Sequence, residues 1–284
     1  MPGTALTALM PVNDYHDGYL GAAFASVLGQ TDPRWRLLVS VERSARAGVE
    51  RVLADGIDDP RVEVIVNQRR GLAGAFNTGM RRAETEFVAI LLGDDAWSPD
   101  AVSVLRHNIA RFPATDFFHS SRRIVDDDGR PISRVHRSRD SVSLDVFRRG
   151  TSPVKHLLCW RRELGLAIGG MDESLRSIGI DDFDFPWSMA EAGATFTSIP
   201  ECLYVYRDHR ECFRLTTHVP LRDHRHEFAR IMRKHGVDRA TIAASIAAAE
   251  RAYLQQCLYR SRLDRWVKRL RRHNTGGGWR EQYT

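Results

Sequence analysis

The stretch that decides the fold is Ala89-Ile90-Leu91-Leu92-Gly93-Asp94-Asp95-Ala96-Trp97-Ser98-Pro99-Asp100-Ala101-Val102, residues 89 to 102. Its apolar opening reads as a buried strand. Gly93 ends that strand, and Asp94 and Asp95 stand side by side at its tip. Pro99 has the character of a first helical residue. Adjacent carboxylates repel, so a positive partner is expected: a metal ion, basic side chains, or solvent.

Working outward, strands and helices alternate through the first hundred residues. Ala5 to Val12, Arg36 to Val41, Val62 to Val66 and Phe87 to Leu92 read as strands. Between them, Gly18 to Leu28 carries Leu20, Phe24, Val27 and Leu28 on one helical face. Val49, Val52 and Leu53 mark a second helix, and Gly71 to Ala83 a third. This alternation predicts a mostly parallel α/β sheet covered by helices. Ligands of such sheets bind outside the carboxyl ends of the strands, where Asn13-Asp14, Glu42 and Asp94-Asp95 all fall.

After Pro99 a helix is expected to about Arg111, and then the pattern changes. Asp116 to Val125, a turn at Asp127-Asp128-Gly129, and Pro131 to Val135 read as a β-hairpin. His156 to Trp160, Ala194 to Ser198 and Cys202 to Tyr206 read as three further strands. From about Leu221 the chain is helical and basic, densest between Arg260 and Arg272, where Leu263, Trp266, Val267 and Leu270 interleave at helical spacing. There are no internal repeats.

Bulk properties exclude several classes. The chain has 284 residues, enough for one large domain with an appendage. No apolar run approaches the roughly 20 residues that span a bilayer, and Met1-Pro2-Gly3-Thr4 does not open a signal peptide. Cys159, Cys202, Cys212 and Cys257 lack metal-type spacing and read as reduced thiols of a cytoplasmic protein. The net charge of +6 suits a polyanionic partner, but the basic residues crowd the C-terminal helix without a nucleic-acid motif, so nucleic acid is not expected.

Alone, Asp94-Asp95 reads equally as a helix cap or a solvated loop. Three other segments add to it. Asn67-Gln68-Arg69-Arg70-Gly71-Leu72-Ala73-Gly74-Ala75-Phe76-Asn77 offers small residues for close packing and arginines near a helix N-terminus, where an anion is favoured. Gly169-Gly170-Met171-Asp172-Glu173, then Gly179-Ile180-Asp181-Asp182-Phe183-Asp184, is a turn leading to acids at a helix start. Helix capping explains one or two of those acids and does not need three. Tyr204-Val205-Tyr206-Arg207-Asp208-His209 is a strand ending in a histidine beside charges.

In this order the segments resemble family 2 glycosyltransferases, which have the nucleotide-sugar-binding GT-A fold. Thr7 to Asp14 and Ala25 to Thr31 are similar to that family's first strand and helix, and Asn77 to Ala83 to its third helix. Leu92 to Pro99 is similar to its acidic metal motif, Asp181-Asp182 to its acceptor-side acids, and Tyr206-Arg207-Asp208-His209 to its closing strand. The resemblance covers roughly residues 5 to 215.

It implies a GT-A catalytic domain over 1–215, with a nucleotide-sugar half to about residue 100 and an acceptor half from 101, followed by a basic helical segment over 216–284. It implies a divalent ion, Mn²⁺ or Mg²⁺, on Asp94, Asp95 and His209, and a donor, UDP-sugar first, on Pro11, Val12, Asn13, Glu42, Arg70, Asn77, Gly93 and Asp94. Asp182 takes the place of the catalytic base for an inverting transfer, with Asp181, Asp184 and Trp160 on the acceptor side. The acceptor is a saccharide, a lipid-linked saccharide or a natural-product scaffold. The C-terminal helix could meet a membrane surface, though packing on the core or a second copy in a homodimer is favoured. The family usually has an aspartate where Leu92 stands, and one or two acids where Val41-Glu42-Arg43-Ser44 stands, which leaves the nucleotide base open. The rival readings are a non-catalytic nucleotide-sugar-binding protein and a nucleotidyltransferase. The latter would need a lysine-rich phosphate loop, and Pro11-Val12-Asn13 offers none.

Overall fold

A computed structural model of the chain describes residues 6–69, 71–140, 142–175, 178–209 and 219–260. The first half builds β1 (Leu6–Val12), α1 (Asp17–Leu28), β2 (Trp35–Val41), α2 (Arg46–Val52), β3 (Val62–Val66), α3 (Gly71–Arg82) and β4 (Phe87–Ile90). Next come β5 (Ala96–Trp97), α4 (Ala101–Arg111), β6 (Phe117–Val125), α5 (Leu144–Arg148), β7 (Leu158–Arg161) and α6 (Arg162–Ala167). A π-turn (Ile180–Asp184) leads into α7 (Phe185–Glu191), followed by β8 (Phe196–Arg207), α8 (Leu221–Lys234) and α9 (Arg239–Arg260).

One sheet of eight strands runs β3-β2-β1-β4-β7-β6-β8-β5. The first four are parallel, with Met10 opposite Val39 and Leu9 opposite Ile90. β7 is antiparallel to both β4 and β6, and β6 is parallel to β8. The expected mixed, mostly parallel architecture is therefore present. β1 is buried along its whole length, which is why it reads as a continuous apolar run. Its alternate residues feed two cores. Ala8, Met10 and Val12 pack with Leu20, Phe24, Val102 and Leu105 of α1 and α4. Leu9 packs on the other face with Phe76, Met80, Trp187, Ile231 and Met232.

Ile231 and Met232 belong to α8, so the C-terminal helices share the core of the sheet rather than hanging from it. The basic run beyond residue 260 lies outside the described residues. Two other expectations change in detail. The strands expected at 194–198 and 202–206 are one strand, β8, with register shifts against Ser120, Ser121 and Arg122. Pro200 lies at the irregularity and lacks an N–H for the ladder, and its carbonyl instead accepts from Ser121 Oγ at 2.8 Å. The hairpin forms its turn, but its return leg makes isolated bridges with β6 at Arg122–His136 and Val125–Pro131 instead of a continuous strand.

Candidate active site

The site lies at the carboxyl ends of the parallel strands. The chain turns just past β4, with Asp95 N–H donating to Leu92 C=O at 3.1 Å. Trp97 anchors the turn from within the core, its indole donating to Ile90 C=O at 3.0 Å. Asp94 keeps a third of its side chain exposed, and its Oδ2 lies 2.9 Å from Nε2 of the fully buried His209. Asp95 is buried, and its Oδ1 accepts the Arg207 backbone N–H at 2.7 Å. Its Oδ2 is buried without a hydrogen-bond partner among the described residues. Burial, then the charge of Asp94, pushes the Asp95 carboxyl up to about 8. Asp94, Asp95 and His209 are thus brought together as the sequence implies. Among the described residues, however, no three His, Cys, Asp or Glu side chains already converge as a metal cage.

The closing strand holds this corner. Arg207 donates from Nε to Asp94 C=O at 3.1 Å and from Nη1 to Asp127 C=O at 3.0 Å, and its guanidinium lies 4.8 Å from the Tyr19 ring centroid. The hairpin turn at Asp127 is thereby tied to the acidic motif.

The second acidic group sits on the π-turn. Gly179 opens it with φ +63°, a left-handed conformation that a side chain would strain. Asp181 is buried against His156, with Nε2 to Oδ2 at 2.8 Å. Burial alone would raise the Asp181 carboxyl, but the hydrogen bond and charge of His156 outweigh it and hold it below the usual range. Burial likewise opposes charge on His156, and Asp181 overcomes it, raising the imidazole. Asp182, half-buried beside Asp181, has no such partner among the described residues. Burial and the charge of Asp181 raise its carboxyl. Its backbone carbonyl accepts from Ser152 Oγ. A raised carboxylate next to a paired one is suited to taking a proton.

The model of glycosyl transferase family 2 matches residues 8–166. The chain belongs to glycosyl transferase family 2. An O-antigen biosynthesis protein, RfbC of Myxococcus xanthus, is 26% identical over 209 residues, 72% of this chain and 16% of the relative. WfgD of Escherichia coli, a UDP-Glc:α-D-GlcNAc-diphosphoundecaprenol β-1,3-glucosyltransferase, is 33% identical over 97 residues, 32% of this chain and 38% of the relative. The putative teichuronic acid biosynthesis glycosyltransferase TuaG of Bacillus subtilis is 28% identical over 136 residues, 47% of this chain and 53% of the relative. The chain therefore spans about half or less of the length of these curated relatives. Among solved structures, S. aureus TarS 1-349 in complex with UDP superposes with a TM-score of 0.60 at 16% identity, covering 92% of this chain and 74% of that one. At that identity the likeness shows the GT-A fold.

Within this family 2 chain the remaining expected residues divide. Pro11 and Val12 are buried at the end of β1, Asn13 is exposed just beyond it, and Glu42 is half-buried after β2. A Cβ on Gly93 would lie 3.5 Å from Leu20, 3.6 Å from Val12 and 3.8 Å from Pro11 C=O, which places the acidic motif beside the end of β1. Arg70 lies outside the described residues. Asn77 is buried and spent on the protein itself. Its amide donates to Met171 C=O at 2.9 Å and Glu173 at 2.8 Å, and its Oδ1 accepts Met171 N–H at 2.8 Å. A Cβ on Gly170, whose φ is +80°, would come 2.3 Å from Asn77 Oδ1, so that glycine serves the close approach.

Asp184 is clamped by Lys234 Nζ at 2.8 Å and His235 Nε2 at 3.1 Å. Trp160 is fully buried among Phe117, Phe185 and Gly165. Trp160 thus serves packing in the core, and Asp184 ties the turn to α8 and the residue after it. Sequence reasoning missed His156 and Tyr204, whose part is to connect the two acidic groups. A histidine at the start of a strand and a tyrosine inside one carry no pattern of their own.

Proposed function

We propose that the chain is an inverting glycosyltransferase that moves a sugar from a nucleotide-diphosphate sugar, UDP first, to an acceptor hydroxyl. The observation that carries this reading is the pair Asp181-Asp182, in which His156 keeps one carboxylate charged and the other is left with a raised affinity for a proton. The donor lies at the ends of β1, β2 and β4, against Asn13, Glu42, Gly93 and Asp94. The acceptor hydroxyl approaches Asp182. As its oxygen attacks the anomeric carbon, the bond to the diphosphate oxygen breaks and Asp182 takes the hydroxyl proton. The sugar passes through oxocarbenium character, and one displacement inverts the anomeric centre.

The residues after β4 fit a divalent ion. Among the described residues no group meets Asp95 Oδ2 in hydrogen-bond geometry, though the Tyr204 hydroxyl lies beside the carboxyl, and Asp94 presents a part-exposed carboxylate with one oxygen steadied by His209. Asp94 and Asp95 would hold Mn²⁺ or Mg²⁺, with His209 orienting Asp94. When bound, the ion supplies neutralising charge to the departing diphosphate. Arg207 fixes both acids through its backbone N–H and its guanidinium.

The test is a thermal-shift panel of nucleotides and nucleotide sugars with and without Mn²⁺. A bound donor raises the melting temperature by mass action. UDP and a UDP-sugar are expected to raise it in an EDTA-sensitive way, and a flat response across every nucleotide sugar would contradict the reading.

A further inference from the structure

The turn that follows β6 keeps its own shape. Asp126 Oδ1 accepts the N–H groups of Asp128 at 3.1 Å and Arg130 at 2.8 Å, and Gly129 N–H donates to Asp126 C=O at 3.0 Å. Gly129 supplies the left-handed residue of the turn, with φ +80°. The turn therefore folds locally, and contacts from two other elements fix where it sits.

Those contacts come from α1 and the end of β8. The Tyr19 hydroxyl donates to Asp127 Oδ1 at 3.0 Å. Arg207 Nη1 donates to the carbonyls of Asp127 at 3.0 Å and Asp126 at 3.4 Å, while its Nε donates to Asp94 C=O at 3.1 Å. One guanidinium thus spans the turn and the acidic motif after β4. The Tyr19 ring repeats the link. Its centroid lies 4.8 Å from that guanidinium and 5.0 Å from the ring of His209, the residue that steadies Asp94. Asp208 N–H closes the corner, donating to Val125 C=O at 2.8 Å.

The sequence groups this hairpin with the acceptor half, yet its turn lies beside Asp94. Tyr19 is buried and Asp127 is exposed, so their hydrogen bond adds little to folding. What it does is aim an exposed carboxylate. A carboxylate repels a diphosphate and accepts from hydroxyls. Asp127 therefore suits the hydroxyl-bearing sugar of a donor rather than its phosphates.

We propose that the turn over residues 126–129 is a wall of the donor site, that Tyr19 is the positioning residue that locks it beside Asp94, and that Asp127 accepts a hydroxyl of the donor's sugar. This rests on the reading that the donor lies against Asp94.

The experiment titrates UDP, UDP-glucose, UDP-galactose and UDP-N-acetylglucosamine with Mn²⁺ into the wild type and its variants by calorimetry. UDP affinity is expected to stay unchanged throughout. The UDP-sugar that binds the wild type most tightly should bind Asp127→Ala on the order of tenfold more weakly, the scale of one hydrogen bond to a charged group. Tyr19→Phe should lose less, because the carboxylate stays but is no longer aimed. The double variant should bind no more weakly than Asp127→Ala alone, since the hydroxyl acts through that carboxylate. Asp127→Asn, which keeps an oxygen for Tyr19, should recover most of the affinity. Hydrogen exchange adds a readout that a role in stability alone would not move: the bound UDP-sugar should slow the amides of residues 126–130 more than UDP does. Unchanged UDP-sugar affinity in Asp127→Ala, equal weakening of UDP and UDP-sugar, additive losses in the double variant, or turn amides that the UDP-sugar leaves unprotected would overturn the proposal. If no UDP-sugar binds, the donor reading fails instead, and the exchange rate of the turn in ligand-free Tyr19→Phe still decides whether Tyr19 locks it.

Discussion

Tyr204 and His156 stand with ring centroids 5.3 Å apart, and that contact joins the two acidic groups of the site. On one side the Tyr204 hydroxyl accepts the Leu92 backbone N–H at 3.2 Å and lies beside Asp95. On the other, His156 holds Asp181, next to Asp182. Tyr204 is on β8 and His156 precedes β7, so the sheet itself sets the distance between the metal-type acids and the candidate base.

His156→Ala leaves Asp181 charged, buried and without its cation. Breaking one side of such a pair costs about 3–5 kcal/mol, so the melting temperature should drop by many degrees. The pair also sets a pH window. Asp181 is lowered, so its contribution is present above the ordinary carboxylate pKa and is lost as pH falls through the lowered value. His156 is raised, so its contribution is present below the ordinary imidazole pKa and is lost as pH rises through the raised value. Melting curves across pH should show both edges in the wild type, and neither from this pair in His156→Ala.

Asp94→Ala should weaken UDP-sugar binding and remove its EDTA sensitivity, because the carboxylate that steadies the cation is gone. His209→Ala should act in the same direction but less, since it acts only by steadying Asp94. Calorimetry with UDP in Mn²⁺ and in EDTA measures both, and EDTA-insensitive donor affinity in the wild type would mean that the acidic pair serves another purpose.

The π-turn is also held from behind. His235 stacks on Trp187 at 4.1 Å and places Nδ1 2.8 Å from Glu191 and Nε2 3.1 Å from the buried Asp184. His235→Ala should cost about 1–3 kcal/mol, the penalty of leaving such a polar group unsatisfied. Because Asp184 lies two residues past Asp182, kcat should fall more than donor affinity. A melting curve and a donor titration on one preparation test the split.

The β/α alternation was legible because strands buried on both faces leave continuous apolar runs that helices interrupt at regular spacing. Val62–Val66 and Gly71 need no correction at all. The acids of the site were legible because carboxylates at strand ends and at a helix start have little structural reason to cluster. Asn77 was misread as facing the donor since nothing local reveals that Gly170, far along the chain, closes over it. Trp160 was misread because an aromatic in a strand looks the same whether it faces a cleft or Phe117. The short β5, α5 and α6 carry too few residues for a period to show, and β8 looked like two strands because Pro200 interrupts its pattern.

The measurement that reaches the central claim most directly is Asp182→Asn, followed by transfer rate and melting temperature together. A raised carboxylate binds its proton more tightly in the folded state, so at neutral pH its charge opposes folding. The amide removes that penalty and the base at once. The account predicts a protein as stable as the wild type or more so, with unchanged UDP affinity and a transfer rate lower by about 10²–10⁴. In the wild type, the rate should rise with pH through an apparent pKa above the ordinary 3.8 of an aspartate. Near-normal transfer by a folded Asp182→Asn protein, or a product that retains the donor's anomeric configuration, would contradict it.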